Sequence, residues 1–181
     1  MSETETKKPT KSLKIIIFIW FLVMFLGLMF YTTQRLVDFD PNAELLDQSL
    51  DNQYYMDLKA ELSEQYESVA GKAFHFSKNG CFCNLVAQQH ISQVAEMIKS
   101  EQFSNVNVSL SEHSEFERFL PSTPAIALYN SDGALMYIGP YSTGYLCVAG
   151  NGLVEEIIPR MGQSVDNPIV MTLARGCYCN N

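Results

Sequence analysis

Five cysteines carry the reactive chemistry of this sequence: Cys81, Cys83, Cys147, Cys177 and Cys179. Four of them lie in two nearly identical pentapeptides, Gly80-Cys81-Phe82-Cys83-Asn84 and Gly176-Cys177-Tyr178-Cys179-Asn180. Five is odd, so if the others pair internally at least one thiol stays free or pairs between molecules. The first pentapeptide falls between a predicted strand and a predicted helix. A thiol at a helix N-terminus feels the helix dipole and the unpaired N–H groups there, and both lower its pKa. With Cys81 near the N-cap, Cys81 is the predicted nucleophile and Cys83 the thiol that resolves the mixed disulfide. A helix that starts instead from Asn84 as N-cap leaves both thiols in the loop and weakens the effect. A Cys81–Cys83 bridge closes a small ring inside a narrow Cα window, so strain is expected. An easily reduced bridge suits an oxidant or isomerase more than a reductant.

Two other readings of the same residues stay open. One is structural: bridges from Cys81 to Cys177 and from Cys83 to Cys179 would staple the tail to the edge that carries the first pair. Cys147, after Gly144-Tyr145-Leu146, is then a third redox thiol or the partner of a tail cysteine, and Cys147, Cys177 and Cys179 together form a relay or a structural bridge. The other reading is a metal module. Cys81, Cys83, Cys177 and Cys179, with Cys147, His75 or His90 nearby, are soft ligands suited to Cu(I) or Zn(II). The thiol-exchange reading itself requires no cofactor, and the chain has neither a Gly-rich phosphate loop nor a C-x-x-C-H haem motif. His75 is expected as a core group placed to tune the cysteine pKa values. His90 is expected to be half-exposed on its helix, His113 to be solvated, and Glu155-Glu156 to form a solvated helix face. Thr123-Pro124 precedes a predicted strand that Pro124 cannot join as a donor. A cis peptide there would leave a backbone edge beside the cysteines where a substrate strand pairs.

The elements that hold these groups follow from patterning. Gln34 to Asn42 is polar, contains Pro41, and reads as a linker. Ala43 to Ser68 lacks Gly and Pro, and Leu45, Leu46, Leu50, Tyr54, Leu58, Leu62 and Tyr66 recur at helical spacing, which predicts one amphipathic helix. Strands are predicted over Lys72–Ser77, Asn105–Leu110, Ala125–Tyr129, Ala134–Ile138 and Ile169–Ala174. Helices are predicted over Asn84–Ser100, Ser111–Leu120 and Leu153–Met161, the last ended near Pro159. Lys78-Asn79-Gly80 is a turn, and Asn130-Ser131-Asp132-Gly133 is the turn of a hairpin. This order implies an α/β domain with a mixed sheet and helices on both faces.

Ile15 to Tyr31 is uncharged and, extended to Thr33, long enough to cross a ~30 Å hydrocarbon core as a helix. No small-x-small cleavage site follows it, so an uncleaved anchor is expected rather than a signal peptide. Lys7, Lys8, Lys11 and Lys14 precede it and only Arg35 follows closely, which keeps the N-terminus cytoplasmic and exports the rest. The expected organisation is residues 1–14 cytoplasmic, 15–33 transmembrane, 34–70 linker and amphipathic helix, and 71–181 the cysteine-bearing domain. The compartment is then oxidising, a bacterial periplasm in the first instance. The whole chain has net charge −8 and pI near 4.8. An acidic chain lacks the basic face that nucleic acid requires. Hydrophobic residues at 47% exclude a disordered chain.

Two resemblances sharpen this. The strand before Cys81-Phe82-Cys83, the cysteines at a helix start, and Thr123-Pro124 before a hairpin together resemble thioredoxin over roughly Lys72 to Met161, with C-x-C in place of C-x-x-C. His75-Phe76, Cys81-Phe82-Cys83, Gly139-Pro140-Tyr141-Ser142, Cys147, Gly152-Leu153-Val154-Glu155 and the Gly-Cys-Tyr-Cys tail are similar to an uncharacterised family of membrane-anchored, periplasmic thioredoxin-like proteins of Gram-negative bacteria. The resemblance implies a thioredoxin-like fold on the bacterial inner membrane and a single site that includes Cys147 and the tail. The expected partners are thiols of exported proteins or a redox carrier protein.

Overall fold

The computed structural model describes residues 11–33, 36–144, 152–164 and 167–181. The chain divides into two compact units, Met1–Arg35 and Leu36–Asn181. In the first unit, α1 (Lys11–Thr33) is a continuous helix. Its stretch Lys11–Tyr31 is long and apolar enough to cross a membrane, the one such helix among the described residues. At 1.5 Å per residue its length matches a hydrocarbon core of about 30 Å.

The second unit begins with β1 (Val37–Asp38), α2 (Glu44–Ser49) and α3 (Asn52–Tyr66), followed by β2 (Lys72–Ser77), α4 (Phe82–Ser100) and β3 (Ser104–Ser109). A 3-10 helix (Ser114–Phe119) leads to β4 (Ser122–Thr123), β5 (Ala125–Tyr129) and β6 (Leu135–Gly139). A one-turn 3-10 helix (Ile158–Arg160) precedes β7 (Ile169–Val170), β8 (Arg175–Gly176) and β9 (Cys179–Asn180). The central sheet has the order β3-β2-β5-β6-β7 and is mixed: β2 runs parallel to β3 and antiparallel to β5, and β6 runs antiparallel to β5 and parallel to β7.

Alternation along the strands builds two cores. Phe74, Phe76, Ala125, Ala127 and Tyr129 face one side and pack with Tyr54, Leu58 and Leu62 of α3 and with Phe116 and Phe119. Ala73, Ile126 and Leu128 face the other and pack with Val94 and Ile98 of α4 and with Val154, Ile157, Ile158 and Met161. The period of two in strands and 3.6 in helices makes this partition automatic once the register is set. The hairpin turn forms as expected. Asn130 Oδ1 accepts N–H bonds from Asp132 and Ala134, and Gly133 takes φ +74°.

Four expectations are corrected. The single helix over Ala43–Ser68 is two helices, because Asp51 caps the second: its carboxylate accepts the Gln53 N–H at 2.9 Å. The polar linker is not all linker. Phe39 is fully buried, and its backbone bonds to Ala174 and to the Ser122 hydroxyl. The helix over Leu153–Met161 is instead a run of turns with Pro159 in the first 3-10 turn; Ile157, Arg160 and Met161 all donate to carbonyls three residues back. The strand expected to Ala174 stops at Val170.

Candidate functional site

The site is built where α4 begins. Gly80, at φ +78°, completes the turn out of β2, and Cys81 is the N-cap of α4 in extended conformation. Asn84 lies inside the helix and its amide donates to the Lys78 carbonyl at 2.8 Å, closing the turn beneath the cysteines. The first turn of α4 carries no acidic side chain, so no carboxylate offsets the positive end of the helix dipole. Cys83 is buried, whereas its neighbours Phe82 and Leu85 are 63% and 69% exposed and form an apolar rim beside the sulfurs.

Each cysteine of this pair is bonded to the distant pentapeptide. Cys81 pairs with Cys179, and Cys83 with Cys177, with Cα separations of 5.9 and 5.4 Å. This corrects both expected pairings: there is no Cys81–Cys83 bridge, and the staple runs crosswise to Cys81–Cys177 and Cys83–Cys179. The two pentapeptides meet antiparallel, first cysteine to last. The three sulfurs of Cys81, Cys83 and Cys179 lie within 4.8 Å of one another, so the two bridges adjoin. Cys147 lies outside the described residues.

The second pentapeptide is held at three points. β8 pairs antiparallel with β1, Val37 opposite Gly176. Gly176 also pairs with Gly144, and a Cβ on Gly176 would come within 2.8 Å of the Tyr178 ring and 3.0 Å of the Gly144 carbonyl. Tyr178 is buried, packs edge-on against Phe39 at 5.2 Å, and donates its hydroxyl to the Ser142 carbonyl at 2.6 Å. It is the counterpart of Phe82 and has the opposite environment. β9 then pairs antiparallel with β4, Cys179 opposite Thr123 and Asn180 opposite Ser122. Asn181 adds two bonds, its N–H to the Pro121 carbonyl and its amide to the Leu120 carbonyl.

The Thr123–Pro124 peptide is cis, and the Thr123 carbonyl lies 3.9 Å from Cys81 Sγ. A disulfide sulfur has no proton to give, so this approach becomes a weak S–H···O bond only when Cys81 is reduced. Thr123 is fully buried and its hydroxyl has no partner among the described residues. The backbone edge expected beside the cysteines is therefore present, and β9 occupies it.

The histidines are more structural than expected. His75 faces the α4 side of the sheet, with Nε2 2.7 Å from Asn105 Oδ1 and Nδ1 against the Tyr141 hydroxyl. The Asn105 amide N donates to the Ala95 carbonyl, which leaves its oxygen for His75. His75 thus carries its proton on Nε2 and accepts from Tyr141 on Nδ1. Burial lowers its pKa, only partly opposed by the Asn105 bond. His90 is 1% exposed rather than half-exposed, and its Nε2 meets Glu155 Oε1 at 2.7 Å, so Glu155 belongs to the interior and not to a solvated face. His113 is bonded to Gln65 and Glu115 and is only partly solvated. Phe39, Tyr178 and the His90–Glu155 pair were missed by sequence reasoning. The polar neighbours of Phe39 and the polar sequence around His90 hid them.

Residues 48–181 match a family described as a domain of unknown function, DUF6436, and the chain belongs to that family. No curated protein and no solved structure matches it.

Proposed function

We propose that this member of the family is a membrane-anchored thiol–disulfide oxidoreductase, with a thioredoxin-like domain exported to the periplasm of a Gram-negative bacterium. The single observation that carries the reading is the crowding of sulfurs at the start of α4, with Cys83 within 4.8 Å of both atoms of the Cys81–Cys179 bridge. Thiol–disulfide exchange is the attack of a thiolate on a neighbouring disulfide sulfur. Once a dithiol reductant has opened one bridge, a thiolate freed at that distance needs only a short displacement to attack the other. Cys81 at the N-cap is the best leaving group and the best nucleophile of the four, because the helix end favours its thiolate. The exposed Phe82 and Leu85 rim offers apolar contact to a protein client. The β2–α4–β3 crossover followed by the β5–β6 hairpin, with Thr123-Pro124 beside Cys81, supports the thioredoxin-like reading. Thr123-Pro124 is the platform for a client strand. α1, with its preceding lysines, supports the anchor and its orientation.

The test is exchange with a reduced and with an oxidised test protein, using the full chain in detergent. Cys81→Ser is expected to abolish it. Unchanged exchange in that variant removes the enzyme reading and leaves a stapled scaffold, in which both bridges persist under mild reductant.

The same clustered sulfurs favour a second reading once reduced: a thiolate site for Cu(I) or Zn(II), built from Cys81, Cys83 and Cys179 with Cys177. Stoichiometric Cu(I) binding by the reduced chain, lost when residues 177–181 are deleted, is its signature. No uptake against a modest chelator removes it.

A further inference from the structure

β9 lies on the very edge that the oxidoreductase reading reserves for a client. Its cysteine is bonded to the predicted nucleophile, and its backbone follows the Ser122–Thr123 edge antiparallel. The arrangement has the form of an enzyme bonded to its client, with this chain supplying both parts. Resting on that reading, we propose that residues 179–181 are a resident occupant of the client edge, released by a rearrangement of the two bridges. An extended, cysteine-bearing segment of an exported protein then takes their place.

The rearrangement is set by exposure. Cys83 and Cys177 are both buried, whereas Cys179, in the other bridge, is partly exposed. A dithiol reductant therefore meets the Cys81–Cys179 bridge first. It gives up two electrons and two protons, becomes a disulfide, and leaves Cys81 and Cys179 as thiols. Cys81, deprotonated at the helix end, attacks Cys83 Sγ. The Cys83–Cys177 bond breaks, its electron pair goes to Cys177, and Cys177 takes a proton. The product holds a Cys81–Cys83 disulfide and two free thiols at Cys177 and Cys179. A client thiolate then attacks Cys81, Cys83 leaves as thiolate, and the client is held by a mixed disulfide at the edge.

What remains of the hold on the second pentapeptide divides at Tyr178. The residues before it stay in place through β8, the buried ring and its bond to Ser142. Among the described residues, those after it are held by β9 pairing and the hydrogen bonds of Asn180 and Asn181. Residues 179–181 thus form a short flap hinged on a fixed aromatic. Because Asn181 N–H bonds to the Pro121 carbonyl, the alternation of antiparallel pairs makes Thr123 and Cys179 a pair that exchanges backbone bonds. A client is read through the same groups: an extended backbone with its cysteine opposite Thr123.

Two measurements test this. In the first, the oxidised protein is treated with one equivalent of dithiothreitol, alkylated, and its bridges mapped. The expected species has Cys81–Cys83 bonded with Cys177 and Cys179 alkylated. Persistence of Cys83–Cys177 with Cys81 and Cys179 alkylated, or the loss of both bridges together, overturns the rearrangement.

The second uses a chain whose only cysteine is Cys81 (C83S/C147S/C177S/C179S), either complete or ended at Tyr178. The probe is a peptide of residues 175–181 carrying C177S, activated as its thionitrobenzoate disulfide. Cysteine activated in the same way is the small-molecule control. Ending the chain at Tyr178 is expected to speed capture of the peptide by about tenfold, the change that follows when a competent state rises from a tenth of the population to nearly all of it. Capture of the small molecule is expected to change little. Equal gains for both probes, or none for the peptide, overturn the proposal while leaving a reactive Cys81. Failure of Cys81 to react with either probe overturns the oxidoreductase reading as well.

Discussion

At the scale of single residues, a shared sequence does not mean a shared environment. Phe82 and Tyr178 hold the same place in two nearly identical pentapeptides, yet Phe82 is open to solvent and Tyr178 is buried with its hydroxyl bonded. Burial obliges the Tyr178 hydroxyl to find a partner, and the Ser142 carbonyl supplies it. His75 shows how burial sets protonation. Its pKa is held below the ordinary value of 6.5, so the unfolded chain binds a proton more readily than the folded one. The stability that follows is fully present above about pH 6.5 and is lost as pH falls through the lower, folded value. The urea midpoint of the domain is expected to fall between about pH 7.5 and about pH 5.5, and to fall less steeply in His75→Gln. Equal slopes in the two proteins would show that His75 does not set this pH dependence.

At the scale of elements, the central strands were legible because their alternation and their turn residues agree. Lys72–Ser77 and Ala125–Tyr129 form as read, and Gly80 and Gly133 take the positive φ their turns require. The start of α4 was legible as one of two choices, and Cys81 is the N-cap rather than Asn84. Features that depend on distant partners were not legible. Asp51 was one polar residue in a helical pattern, and only its bond to the Gln53 N–H marks a helix start. Asp51→Ala is expected to cost about 1 kcal/mol, the usual value of such a cap, measured as the shift in the denaturation midpoint. Phe39 lay in a polar run, and its burial comes from β1 meeting β8 across most of the domain's length. The cysteine partners were illegible for a stricter reason. Two pentapeptides of the same residue types give no chemical ground for choosing one crosswise pairing over the other; the direction of approach decides it.

At the scale of the whole molecule, the two bridges are nested. They span 98 and 94 residues, so once either is closed the other closes only a few residues more. The entropy lost by the unfolded chain is therefore nearly all supplied by one bridge. Removing Cys83 and Cys177 together as serines is expected to cost little, and removing Cys81 and Cys179 likewise. Removing all four is expected to cost about 4–5 kcal/mol on the chain-entropy estimate. Unfolding midpoints of the three variants test this, and two equal, additive losses would show that the bridges act through local contacts instead. A second bridge that adds little stability is consistent with a role in exchange.

The nesting also has a temporal side. On the proposed export of the domain behind α1, Cys81 and Cys83 cross the membrane more than ninety residues before Cys177 and Cys179. An oxidant that meets the early segment finds only these two neighbouring thiols to join. A thiol from the late segment can then open that bond and form one of the final bridges, and the two thiols left over form the other by giving two electrons to the same oxidant. On that route, maturation is itself a turnover, and the first thiol this domain exchanges with is its own.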